Sequence, residues 1–359
     1  MKVIQIIDSL DAGGAERVAI NIANALIDRN IESFICTTRK EGILKENIDA
    51  NVEYLFLGKK SKIDFKAINK LRLYLKVHNI EIMHAHSSSF FIAVLVKIFN
   101  PKLKIIWHDH YGNSEFLNKR PVKILKLASH KFNHIISVNS SLKAWAERNL
   151  NTKNVSYISN FVDLNLEEKK STLLLGNKGK RIVCLANLRP QKGHEMLIDS
   201  FKNVLYQYPD WSLHLVGKDF NDSYSKKIKC KINELELANS IHVYGGRKDV
   251  YNILMQSSIG VLSSKSEGLP LSLLEYALAK LPVVATDVGQ CKEVIANNRL
   301  GRLVETGDEK ALSEAITELI CEKSLRETLG NNLHNQVYKR YGKDLIVKSI
   351  IKIYKEVLC

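Results

Sequence analysis

The chain has 359 residues, 45% apolar and 25% charged, with 53 Lys and Arg against 38 Asp and Glu for a net charge of +15. That composition excludes disordered and fibrous classes, and at about 100–200 residues per domain the length predicts two domains. No apolar run reaches the roughly 20 residues needed to cross a bilayer; the longest, residues 90–99, contains Lys97. Residues 1–7 form a brief apolar run that ends in Asp8 without a small-residue cleavage site, so they read as a strand rather than a signal peptide. The six cysteines are scattered without metal or redox spacing, which points to reduced thiols and a cytoplasmic setting.

In chain order, strand-like runs are predicted at 3–7, 33–37, 52–57, 80–84, 103–107 and 134–138, with helical periodicity at 15–26, 65–77 and 122–132. The theme restarts with strands at 181–186, 212–216, 241–244, 260–263, 283–286 and 301–304, and with helices at 194–206, 224–235, 250–256, 271–279 and 309–322. Residues 325–358 are helical in pattern. Alternating strands and helices predict α/β architecture, two parallel-sheet domains with a ligand cleft between them. The expected division is an N-terminal domain at 1–164, a linker at 165–180, a C-terminal domain at 181–340 and a final helix at 341–359 returning toward the first domain. The positive excess is concentrated in residues 1–160, with 24 basic against 14 acidic residues.

The most informative segment is Ser263-Ser264-Lys265-Ser266-Glu267-Gly268-Leu269-Pro270-Leu271-Ser272-Leu273-Leu274-Glu275. A strand ends near Ser263, Gly268 permits close backbone approach, and Pro270 suits a first helical position. The free amides of Leu271, Ser272 and Leu273 would then face a bound phosphate. Leu271, Leu274 and Leu278 make an apolar stripe on this helix, and Glu275 lies at its border beside Ser272 and Ala279. A carboxylate there suits the two vicinal hydroxyls of a ribose, whereas the plain alternative is a solvated edge residue.

This segment resembles retaining glycosyltransferases of family 4, which share the GT-B fold of two Rossmann-like domains. Their marker is a pair of glutamates separated by seven residues, matched by Glu267 and Glu275. Three further motifs agree: Ala12-Gly13-Gly14-Ala15-Glu16-Arg17, Ser159-Asn160-Phe161-Val162-Asp163 with Phe161 in place of a glycine, and Leu188-Arg189-Pro190-Gln191-Lys192-Gly193. The resemblance implies transfer of a sugar from a nucleotide-sugar donor, expected to be UDP-linked, to a hydroxyl of a saccharide or lipid-linked saccharide. Glu267 and His108 are the expected catalytic residues. Gly13, Gly14, Arg189, Lys192, Arg247, Gly268, Leu269, Pro270, Leu271, Ser272 and Glu275 are expected to bind the donor. The family's arginine stands five residues before its lysine; Asn187 occupies that place here, so Arg189 is its expected substitute.

A departing nucleoside diphosphate gathers negative charge, which either a divalent metal or cationic side chains must offset. The sequence has no Asp-x-Asp pair to seat a metal on the phosphates, so Arg189 and Lys192 are expected to do so without metal or cofactor. His84-Ala85-His86 and His108-Asp109-His110 would suit a metal site in isolation, but no further ligands cluster nearby in sequence. The resemblance places His108 beside the donor sugar; the plain alternative is a core-edge histidine satisfied by backbone.

The basic stretch 119–132 reads as an amphipathic helix, with Val122, Leu125 and Phe132 on one face and Lys123, Lys126 and Lys131 outside it. It could rest on an anionic membrane surface at the inner face of the cell membrane, or pack on the core with a solvated lysine face. A second basic stretch comprises Lys59, Lys60, Lys62, Lys66, Lys70, Arg72 and Lys76. Nucleic acid is not an expected partner, because no aromatic–basic interleaving or zinc-finger spacing accompanies the charge. The sequence reading is therefore a metal-independent glycosyltransferase of cell-envelope polysaccharide synthesis. A sugar-nucleotide epimerase of the same fold and a non-enzymatic polyanion-binding protein are the alternatives.

Overall fold

The β-rich runs of the two halves pair into two parallel sheets among the described residues, which in this computed structural model are 1–112, 114–162 and 170–359. Asp163 and positions 164–169, where the first domain's expected end and the start of the linker fall, lie outside them. The chain divides into unit 1, Met1–Phe161 with Lys343–Cys359, and unit 2, Val162–Gly342.

Unit 1 contains β1 (Lys2–Ser9), β2 (Glu32–Lys40), β3 (Glu53–Phe56), β4 (Ile82–His86), β5 (Lys104–Asp109), β6 (His134–Ser137) and β7 (Val155–Tyr157), in the order β3-β2-β1-β4-β5-β6-β7. Unit 2 contains β8 (Arg181–Leu185), β9 (Ser212–Val216), β10 (Ile241–Gly245), β11 (Ile259–Leu262), β12 (Val283–Thr286) and β13 (Arg302–Val304), in the order β10-β9-β8-β11-β12-β13. Every pairing is parallel. The strand order reverses between β1 and β4 in one sheet and between β8 and β11 in the other, and the loops leaving such a pair frame a ligand crevice.

Both faces of each sheet are covered, which is why the strands read as nearly continuous apolar runs. In unit 1, Ile4, Ile6, Met83, Ala85, Ile105 and Trp107 pack in one cluster. Gln5, His84, His86 and His108 occupy the alternate positions, so the polar members of β1, β4 and β5 share the opposite face. Unit 2 is built around Ile182, Cys184, Leu213, Leu215, Ile259, Val261 and Val284.

Several expected boundaries move. The expected strand at 80–84 is Ile82–His86, and the next continues to Asp109, because burial keeps histidine and aspartate inside strands that polarity alone would end. Strand β7 and helices Phe90–Phe99 and Ser140–Asn149 are additional to the expected elements. Among the described residues no helix is long and apolar enough to cross a membrane. The segment 325–358 is two helices, Lys323–Tyr341 and Lys343–Leu358, divided at Gly342, whose ψ of 141° is not helical. The second belongs to unit 1. Arg29 and Asp344 pair there, Lys343 reaches Asp28 at 2.8 Å, and Ile346, Val347, Ile350, Ile353 and Tyr354 are buried. Within unit 2, Ser171, Thr172 and Leu174 are bonded to the Asp249 carboxylate and the Gln256 side chain, docking this stretch against helix Val250–Met255.

Candidate active site

In unit 2 the loops after the neighbouring strands β8 and β11 meet. Pro190–Lys192 forms a single 3-10 turn, and Gly193 follows at φ +65°. A Cβ on Gly193 would sit 2.0 Å from the Ser263 carbonyl oxygen, so only glycine allows this backbone approach. Ser263 Oγ donates to the Lys192 carbonyl at 3.0 Å, and the Lys265 amide donates to the Gln191 carbonyl at 2.7 Å. These contacts place Lys192 Nζ 2.5 Å from Glu267 Oε1, which also accepts from Ser264 Oγ at 2.6 Å.

Glu267 is 6% exposed and Glu275 5%, so the expected solvated-edge alternative for Glu275 is not what the structure has. Helix Leu271–Leu278 is covered on more sides than a single stripe predicts: Leu273, Tyr276 and Ala277 are fully buried, while Leu278 is only half-buried. The extra coverage includes helix Lys323–Tyr341, from which His334 Nδ1 lies 3.2 Å from the Ala277 carbonyl.

Two details of the helix start depart from expectation. Pro270 is the residue before the helix, with ψ 120°, rather than its first residue. The Leu273 amide is not free; it donates to the Pro270 carbonyl at 3.2 Å in a tight first turn. The amides of Leu271 and Ser272 remain at the helix tip, where intrahelical acceptors are lacking. Gly268 and Leu269 form the approach to it, and the Gly268 carbonyl accepts from the Gln290 amide at 3.0 Å.

Residues without an obvious sequence signal complete this framework. Gly289 has φ +53°, and a Cβ on it would lie 2.1 Å from the Glu267 carbonyl oxygen. Thr286 Oγ1 donates to the Ser264 carbonyl at 2.6 Å. Ser264 lies three residues before Glu267, within the segment already singled out, whereas Thr286 and Gly289 come from the next strand and loop.

Arg189 is exposed and stacks on Phe220 at 4.3 Å, with Lys218 Nζ 5.0 Å from the same ring. Asn187, at the family arginine's position, accepts the Lys218 amide at 2.7 Å. Arg247 follows β10 and contacts the Gly246 carbonyl at 3.3 Å.

In unit 1, Gly13 caps helix Gly14–Ile27 after β1. His108, at the end of β5, is 1% exposed, and its Nε2 is buried without a hydrogen-bond partner. Asp109 beside it forms a two-point pair with Arg120 at 2.7 and 2.8 Å. Burial still pushes the Asp109 carboxyl upward, against the pull of Arg120. Arg120 lies over Trp145 at 4.3 Å and Tyr111 at 4.4 Å.

Ring nitrogens of His84, His86 and His108 lie within 4.8 Å of one another, a grouping that could be considered for a metal. Their bonding argues for another use. His84 Nε2 is 3.1 Å from His108 Nδ1, His84 Nδ1 is 2.6 Å from Tyr354 Oη, and His86 Nε2 is 2.9 Å from Gln5 Oε1. His86 Nδ1 is 3.0 Å from His110 Nε2. Lone pairs and N–H groups therefore point along the chain of residues rather than toward one centre. Burial lowers His84 and His110 to about 3 and holds His86 and His108 well below 6.5, with neighbouring imidazoles adding to the effect at His84, His86 and His108. All four are neutral at pH 7.

Of the two readings of the basic stretch 119–132, packing on the core is the one the structure has for Leu125 and Phe132. Leu125 and Phe132 are 6% exposed and belong to the unit 1 core, with Val122 packed against them. The helix is Lys123–Ser129, and its outward apolar residues are Ile124 and Leu127, 66% and 75% exposed, beside exposed Lys123 and Lys126.

Two parallel sheets, each reversing its strand order beside its first strand, define the GT-B fold, and similarity to known proteins gives the family. Residues 12–166 match the profile Glycosyltransferase Family 4, and residues 165–336 match Glycosyl transferases group 1. The chain belongs to this glycosyltransferase family. HepE of Anabaena, solved in complex with UDP and glucose, has a TM-score of 0.82 at 18% identity, with 99% of this chain and 100% of that chain covered. A glycosyltransferase of Haemophilus influenzae is 25% identical, covering 97% of this chain and 96% of the relative. The O-antigen biosynthesis glycosyltransferase WbnH of Escherichia coli is 28% identical, covering 85% and 86% respectively.

Proposed function

We propose that the enzyme moves a hexose from a UDP-linked donor to a hydroxyl of a saccharide or lipid-linked saccharide, with retention of anomeric configuration and without a metal, in cell-envelope polysaccharide assembly. The observation that carries the reading is the Lys192–Glu267 pair, fastened by Ser264 where β8 and β11 end, beside the helix tip at Leu271. The UDP assignment draws on the ligand named for HepE, and the pathway on the name of WbnH.

Held by Glu267, Lys192 offers a positioned charge, so little reorganisation is needed when the diphosphate departs. The Leu271 and Ser272 amides add the positive end of a helix to the same phosphate. Gly268, Leu269 and Pro270 let the donor approach the backbone closely, Arg189 adds a further charge, and Arg247 meets the base. Glu275 takes the ribose hydroxyls, and Glu267 faces the sugar as positive charge develops on it. In unit 1, Gly13 and Gly14 supply backbone to the donor, and His108 takes a sugar oxygen. The bond from the anomeric carbon to the phosphate oxygen breaks as the acceptor oxygen bonds to that carbon. The departing phosphate oxygen receives the acceptor's proton, so no separate side-chain base is required.

A thermal-shift panel of nucleotide sugars tests donor choice: a UDP-hexose should raise the melting temperature more than other nucleotide sugars. Turnover should persist in EDTA and require an acceptor. Product formed without acceptor indicates an epimerase, and salt-sensitive polyanion binding without a donor effect indicates a binding protein. Exposed Ile124 and Leu127 among lysines support contact with an anionic membrane surface, tested by liposome partitioning.

A further inference from the structure

The buried chain His110–His86–Gln5–Tyr354–His84–His108 has one group whose hydrogen-bonding sense cannot reverse by moving a proton. A carboxamide oxygen only accepts and its NH2 only donates. Gln5 directs Oε1 to His86 Nε2 at 2.9 Å and Nε2 to Tyr354 Oη at 3.4 Å. Tyr354 accepts from Gln5, and among the described residues His84 Nδ1, at 2.6 Å, is the one other partner of its hydroxyl, so the single hydroxyl hydrogen goes to that nitrogen. Neutral His84 therefore carries its hydrogen on Nε2 and donates to His108 Nδ1 at 3.1 Å. His108 then carries its own hydrogen on Nε2, the buried atom that has no partner. Along the other arm, His86 Nδ1 is left to accept from His110 Nε2 at 3.0 Å. Gln5, His84, His86 and Tyr354 are all 0% exposed, so water does not compete for these bonds.

We propose that Gln5 and Tyr354 are positioning residues that lock His108 in the Nε2–H tautomer, so that unit 1 presents a directed hydrogen-bond donor to the sugar. That the ligand is a sugar rests on the proposed function; the tautomer lock does not. An N–H in this position donates to a hydroxyl or ether oxygen and repels an ammonium group. It also gives the C-terminal helix a role in recognition, because Tyr354 lies 270 residues beyond the histidine it orients.

Long-range 1H–15N correlation spectra of the full, ligand-free protein labelled at histidine report which nitrogen of each ring carries hydrogen. The expected result is His108 with hydrogen on Nε2 in the wild-type protein, and a mixture of tautomers at His84 and His108 in Tyr354→Phe. Hydrogen on His108 Nδ1 in the wild type overturns the proposal without any variant being needed, and unchanged tautomers in a folded Tyr354→Phe do so too. If the protein transfers sugar, Tyr354→Phe should lower kcat/KM about tenfold. The same change made in a His108→Ala background should add nothing, since its effect passes through His108. The spectra require no substrate, so failure of the glycosyl-transfer reading and failure of the lock are separable.

Discussion

The two units share a strand order but equip its reversal point in opposite ways. In unit 2 the loops after β8 and β11 carry a charged pair, Lys192 with Glu267. In unit 1, β1, β4 and β5 carry neutral imidazoles joined through Gln5 and Tyr354. One arrangement stabilises charge, and the other specifies direction. A fold alone does not choose between them; the residues placed on it do.

Removing charge from unit 2 should produce the largest effect. Lys192→Ala is expected to lower kcat/KM by roughly 10²–10³-fold or more, with Glu267→Ala as severe, measured by initial rates with the preferred donor. Full activity in both variants would sink the site assignment. Truncating Leu125, a core residue, should cost about 2–5 kcal/mol in denaturant unfolding.

The neutral chain of unit 1 should show itself as pH-dependent stability. His84 and His110 are lowered from 6.5 to about 3, so the unfolded chain takes up protons first as pH falls. Their contribution is complete above pH 6.5 and is lost progressively as pH falls toward about 3. Each contributes a slope of at most about 1.4 kcal/mol per pH unit, read from urea unfolding of unit 1 at several pH values.

Smaller effects separate backbone from surface. Gly289→Ala must hold a side chain at φ +53° against the Glu267 carbonyl, and should destabilise unit 2 by about 1–3 kcal/mol, with activity falling as Glu267 shifts. Replacing Ile124 and Leu127 together by serine should weaken partitioning to anionic liposomes about tenfold with little change in melting temperature. Unchanged partitioning would dismiss the membrane contact.

Much of the unit 2 site is legible because it is local. Ser264, Glu267, Pro270 and the helix start lie within a few residues, so strand end, turn and helix tip can be read from one segment. The helix 123–129 shows the limit of that reading. Its amphipathic pattern identifies an apolar face, but that face, Leu125 with Phe132, turns inward. Gln5 was visible only as one polar residue in an apolar strand, and Tyr354 as one aromatic in a helical segment.

Alternating β-rich and helical runs, a glycine-proline turn and two glutamates at fixed spacing determined the fold class and the charged site, because backbone preference and local chain geometry act over a few residues. Tertiary structure alone decided that Glu275 is buried, that Gly289 closes on Glu267, and that Tyr354 reaches His84. Those contacts depend on strands and helices brought together from distant parts of the chain, and a hydrogen bond acquires direction only when both partners are in place.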